Sequence, residues 1–139
     1  MVGSFYKMFP DEHFAIVKFK PGCFTFDESK RLNTEYKLDK DYSKIHYLLI
    51  ILNNCVPEFS KEQLTALSEI YSYAPQENNH ICTAWIVDEP IATAFAHIFT
   101  KATPELSHYC STIERAFCLM GIPFSYDRFM EFVSEVNID

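Results

Sequence analysis

Six consecutive apolar residues, Tyr47-Leu-Leu-Ile-Ile-Leu52, constrain this chain more than any other stretch. No polar residue alternates with them, so a strand built from them must be covered on both faces. That pattern predicts a strand over Ile45–Leu52 in the middle of a sheet flanked by helices. It stops at Asn53-Asn54, and Pro57 then leads toward a helix. In an open α/β sheet, ligands and partners meet the fold just beyond the carboxyl ends of the central strands. Attention therefore falls on residues 53–63.

Strand and helix patterns alternate around this centre. Phe5–Phe9 and His13–Phe19 are rich in strand formers, and Pro10-Asp11-Glu12 between them reads as a turn. Together they predict an edge hairpin in which Phe14 and Ile16 face one way and Ala15, Val17 and Phe19 the other. Lys20-Pro21-Gly22 reads as its end. Thr25-Phe-Asp-Glu28 is a capping pattern, predicting a largely polar helix to about Leu38 with Leu32, Tyr36 and Leu38 inward. Ser60-Lys-Glu-Gln63 is a second capping signature, ahead of Leu64, Leu67, Ile70 and Tyr71 at helical spacing. His80–Val87 reads as another buried strand with Trp85 in the core. Asp88 then caps a helix carrying Ile91, Ala94, Phe95, Ile98, Phe99 and Ala102. A short strand over Leu106–Cys110 precedes a helix capped from Ser111, with Ile113, Ala116, Phe117 and Met120 inward and Gly121 and Pro123 at its end. A last segment, about Ser125 to Val136, carries Phe129, Phe132, Val133 and Val136. It suits either a helix packed on the domain or part of a homodimer contact. The whole predicts one α/β domain over residues 1–139 with a mainly parallel sheet, an antiparallel edge hairpin and helices packed on it.

Composition narrows the function. The chain has three glycines, Gly3, Gly22 and Gly121, from which no phosphate-cradling loop can be assembled. The net charge of −7 argues against nucleic acid, which needs clustered Lys and Arg. No apolar stretch approaches the roughly 20 residues of a membrane span, and no signal peptide is visible. Five cysteines without a CxxC read as reduced thiols, which suits a cytoplasmic protein. The abundance of Phe and Tyr leaves some aromatics for a dimer interface.

The run Tyr109-Cys-Ser-Thr-Ile-Glu-Arg-Ala-Phe-Cys-Leu-Met-Gly121 resembles the closing strand and helix of STAS-type domains. Leu48–Leu52 with Asn53-Asn-Cys-Val-Pro-Glu-Phe-Ser-Lys-Glu-Gln-Leu64 resembles the strand, loop and helix of the anti-sigma-factor antagonists in that family. The likeness covers residues 12 to 121, and it rests on order and spacing more than on any one motif. It implies a STAS-like fold in a small bacterial regulatory protein without catalysis. In the family, the loop before the second helix bears an Asp-Ser-Ser-Gly-like signature and one Ser is phosphorylated by a partner kinase. Here that place is taken by Ser60-Lys61-Glu62-Gln63, so Lys61 or Glu62 stands at the phosphorylated position and Ser60 is left as the helix cap. Related STAS-like proteins resemble the lipid-transfer CRAL-TRIO domains, which implies as an alternative a small apolar ligand or lipid held between the sheet and the 91–102 helix.

Enzyme chemistry has thin support. Cys55 and Ser60 stand at a strand-to-helix turn, but the G-x-S-x-G elbow is absent and His46 lies at the other end of the strand. Cys55 reads as a small buried hydrophobe. The five histidines show neither i, i+4 nor HExxH spacing. His46, His80 and His108 stand near strand starts, where they could cluster at the amino-terminal edge. Asp88 and Glu89 are explained by capping more simply than by acid–base work. No cofactor, metal site or catalytic set is expected. The composite that stands out is Asn53, Asn54, Glu58, Ser60, Asp88 and Glu89, with Glu62 beside them, expected to converge on one polar, acidic edge. In the resembling family this face meets the regulatory partner, so these residues are the expected protein-docking surface.

Overall fold

The computed structural model describes residues 4–60, 62–63, 65–66, 81–100 and 107–137; of helix Pro90–Thr100, the side chains at 91, 95 and 98–100 are not included. The readings placed on Leu64, Leu67, Ile70, Tyr71, His80, Ala102 and Leu106, and on the side chains of Ile91, Phe95, Ile98 and Phe99, lie outside the described residues.

Five strands form the main sheet: β1 (Phe5–Phe9), β2 (Phe14–Lys18), β4 (Tyr47–Leu52), β6 (Cys82–Val87) and β7 (Ser107–Cys110), in the order β1-β2-β4-β6-β7. β1 pairs antiparallel with β2, and every other neighbour is parallel. The fold is thus α/β with a mixed, mostly parallel sheet and an N-terminal antiparallel hairpin, as the pattern predicts. Among the described residues, its helices with bounds at both ends are α1 (Phe26–Lys37), α2 (Pro90–Thr100), α3 (Ile113–Met120) and α4 (Tyr126–Asn137).

Both faces of the sheet are covered, which is why its central strands need no polar alternation. One face presents Phe14, Ile16, Leu49, Ile51, Ala84 and Ile86 to Ala116 and Met120 of α3 and to Phe129, Phe132, Val133 and Val136 of α4. The other presents Ala15, Val17, Leu48, Ile50, Leu52, Trp85 and Val87 to Leu32 and Tyr36 of α1 and to Ala92 and Ala96 of α2. The apolar side of α4 is spent inside the chain, where Phe14 contacts the rings of Phe129 and Phe132 with centroids 5.6 and 5.8 Å away. The last segment is thus a helix packed on the domain.

The capping signals act as their residue types require. Thr25 Oγ1 accepts from Glu28 N–H at 3.2 Å, while the Glu28 carboxylate accepts from Ser4 Oγ instead of closing a reciprocal box. At Ser60 the box is complete: Gln63 N–H donates to Ser60 Oγ and Ser60 N–H to Gln63 Oε1. α3 is capped by Thr112, one residue later than expected, and ends on left-handed Gly121 as expected. Leu38 is corrected outright: it sits just past the last turn of α1 and is 80% exposed, whereas Leu32 and Tyr36 are buried. Ala94 is exposed too, because α2 turns Ala92 and Ala96 inward.

A second, two-stranded sheet is absent from the expected order. β3 (Gly22–Thr25) pairs in parallel with β5 (Cys55–Glu58), where loops were expected. The parallel pair β2/β4 leaves the main sheet at two corners, Phe19–Pro21 and Asn53–Asn54, and continues as β3/β5. Phe19 N–H still donates to Ile51 O at 3.1 Å before the corner, and Gly22 N–H to Asn54 O at 2.8 Å after it. Pro57 is tolerated because β5 has a partner on one side only.

Candidate functional site

The corner at the carboxyl ends of β4 and β6 follows from register. Leu52 pairs with Val87, so the next residues, Asn53 and Asp88, face each other. Asn54 adopts a left-handed backbone, φ 59°, which Asn tolerates better than most residues. Its N–H donates to Asp88 Oδ1 at 2.8 Å, and Asn53 Nδ2 donates to Asp88 Oδ2 at 3.4 Å. Both oxygens of Asp88, the residue expected to cap α2, thus accept hydrogen bonds from the corner. The first helical carbonyl is that of Glu89, which accepts the N–H of Thr93 at 2.8 Å and its hydroxyl at 2.9 Å.

Cys55 lies directly beneath, fully buried. Its Sγ is 3.3 Å from the carbonyl oxygen of Asn53, 3.4 Å from that of Lys20 and 3.6 Å from that of Phe19. The thiol thus sits under both corners at once, where its S–H can donate to any one of the three carbonyls. Burial, reinforced by the negative charges of Asp88 and Glu28, pushes its pKa up from 9.0 to about 12. A thiol held neutral in this way is a poor nucleophile.

The seven residues expected on one edge fall into two groups. Asn53, Asn54 and Asp88 are joined by hydrogen bonds, with Glu89 next along the chain. Glu58, Ser60 and Glu62 are carried away by β5, whose far end pairs Glu58 with Thr25 at the start of α1. The expected single convergence is corrected accordingly, because the chain stays extended for four residues beyond the corner. Asn54, Glu58, Ser60, Glu62 and Asp88 are exposed, and Asn53 and Glu89 are half-buried. Among the described residues, no Lys or Arg forms an ion pair with Glu58, Glu62, Asp88 or Glu89.

Of the three histidines that could cluster at the amino-terminal edge, His46 and His108 are described. His46 meets His13 rather than His108, with ring centroids 4.7 Å apart, while His108 stands in β7 opposite Ala84 and His80 is outside the described residues. The signal for the His13–His46 pairing was present in the two strands: each histidine immediately precedes one. Among the described residues no group of three His, Cys, Asp or Glu is placed to hold a metal.

A small space lies between the sheet and α1. Its volume is about 10 Å³, and Ser29, Asn33, Tyr36 and Trp85 are among its lining residues. That is room for about one water molecule. No helix of the described residues is long and apolar enough to cross a membrane. No family model matches the sequence, and no curated protein matches it significantly.

Proposed function

We propose that the chain is a non-enzymatic regulatory or protein-interaction domain of the STAS-like kind, which docks a protein partner through the acidic corner at the carboxyl ends of β4 and β6 and its β3/β5 extension. The observation that carries this reading is the state of its acids. Asp88 is fixed by the Asn53–Asn54 turn, and Glu58 and Glu62 are exposed on the extension. Carboxylates that form no ion pair among the described residues steer a basic partner surface, and one already held in place, as Asp88 is, loses little freedom on binding. The order of elements supports the family reading, with an edge hairpin followed by strand–helix alternation. The engagement of Ser60 as a helix cap favours constitutive recognition over a phosphorylation switch at that loop.

The test is affinity capture with the full chain against its Glu58→Lys/Glu62→Lys variant and, separately, Asp88→Lys. Partners lost with the extension variant and weakened with the corner variant are expected. Identical partner sets from all three proteins would overturn the docking face.

A further inference from the structure

The opposite, amino-terminal edge of the sheet carries its own arrangement. Phe14 of β2 is in register with Tyr47 of β4, so the residues just before them, His13 and His46, stand side by side on adjacent parallel strands. Their rings lie with centroids 4.7 Å apart and planes at 70°. From this juxtaposition we propose that His13 and His46 bind one borderline divalent transition-metal ion, of the Ni²⁺, Zn²⁺ or Cu²⁺ type, with water filling the remaining coordination positions.

Three features point that way. The first is spacing. Two imidazoles bound cis to one ion at a metal–nitrogen distance of about 2.1 Å hold their centroids roughly 4.5–5 Å apart, and the two rings already stand at that spacing. The second is the proton on His13. Its Nδ1 is 2.8 Å from the carbonyl oxygen of Lys44, and a carbonyl only accepts. Nδ1 therefore carries the hydrogen, and in the neutral ring the Nε2 lone pair is left for a ligand bond. Metal-binding histidines are commonly oriented in this way, by donating the second ring N–H to a carbonyl.

The third feature is the backbone. His13 adopts φ 58°, a left-handed conformation uncommon for a residue with a side chain. It is held there by its N–H on Pro10 O at 3.1 Å and by its own carbonyl, which accepts the N–H groups of both His46 and Tyr47. One carbonyl thus ties the two histidines' backbones together before any ion arrives. Both rings are exposed, so water can complete the coordination. The nearby ammonium of Lys44 is drawn toward Asp41 Oδ1 at 3.6 Å. With two protein ligands the site is weaker and more exchangeable than a closed four-ligand structural site. The imidazole donors and open positions suit the later first-row ions.

The experiment is a Ni²⁺ titration of the full chain at pH 7.5, followed by calorimetry and by the histidine ring signals in NMR. One saturable equivalent is expected, with the His13 and His46 signals broadening first. His46→Ala, at an exposed side chain, and His13→Asn, which keeps a residue tolerant of the left-handed backbone, should each weaken binding at least about tenfold. If His13→Asn fails to fold, His46→Ala decides alone. Unchanged affinity in His46→Ala, absence of saturable binding in the native chain, or first broadening at His97 or His108 would each overturn the proposal.

Discussion

The carboxylate of Asp88 accepts the backbone N–H of Asn54 at 2.8 Å, and this bond joins the end of β6 to the point where β4 leaves the main sheet. Beyond that point the chain pairs with β3 in a separate ladder. Asp88 therefore helps to set the direction of β5 and the position of Glu58 at its end. Asp88→Ala removes a charged acceptor at an exposed site, and a loss of about 1 kcal/mol in unfolding free energy is expected. Urea unfolding should show a lower midpoint at unchanged slope. Wild-type stability in this variant would mean that the β3/β5 ladder holds the corner unaided.

Cys55, beneath the same corner, should be chemically silent in the native chain. Exposed Cys23 and Cys118 are expected to react with a thiol reagent at pH 8 well before Cys55, which should react only as the chain unfolds. Burial also makes stability depend on alkaline pH. The folded thiol is pushed up to about 12, from 9.0. Above pH 9 the unfolded chain loses a proton that the folded chain keeps, so stability falls as pH rises between those values, by up to about 1.4 kcal/mol per unit. Below pH 9 both states are protonated and the effect vanishes. Comparing the alkaline slopes of wild type and Cys55→Ala isolates it; equal slopes would contradict the assignment.

The same corner marks the boundary of what residue patterns disclose. Tyr47–Leu52 reads as a doubly covered strand because nothing polar interrupts it, and Leu49 and Leu52 are indeed fully buried. Asn53 meets Asp88 because both directly follow strands in register, a relation that strand ends alone suggest. The extension was hidden by its own composition. Pro21-Gly22 and Pro57 are breaker signals, and only the pairing of two distant segments makes Cys23-Phe24-Thr25 and Cys55-Val56 into strands. Glu58, Ser60 and Glu62 were consequently expected too near the corner. Leu38 misleads for a different reason: six residues after Leu32 it falls off the face that Leu32 and Tyr36 share, and it stands one residue past the last turn of α1.

Asn33 presents a different relation between burial and polarity. It is 7% exposed, lines the small space beneath α1, and its Oδ1 has no hydrogen-bond partner among the described residues. A buried acceptor without a donor costs about 1–3 kcal/mol. Asn33→Leu, of similar size and apolar, is expected to raise stability by about 1 kcal/mol, with a higher denaturant midpoint. A loss instead would show that an internal water satisfies Oδ1 and that the substitution expels it.

Phe129 tests whether α4 belongs to the core or only leans on it. Its ring is fully buried and touches Phe14 at 5.6 Å and Phe117 at 5.1 Å between centroids. It thus connects the hairpin strand β2 to α3 across the face that α4 covers. Removing the ring leaves a cavity bounded by aromatic side chains that cannot easily collapse, so Phe129→Ala should cost about 3–5 kcal/mol. Exposed Tyr126, one turn earlier, should tolerate alanine with a change below about 1 kcal/mol. Chemical denaturation of both variants measures the difference. A small cost at Phe129 would mean that the sheet keeps its fold without the last helix, and that this face is open to another occupant.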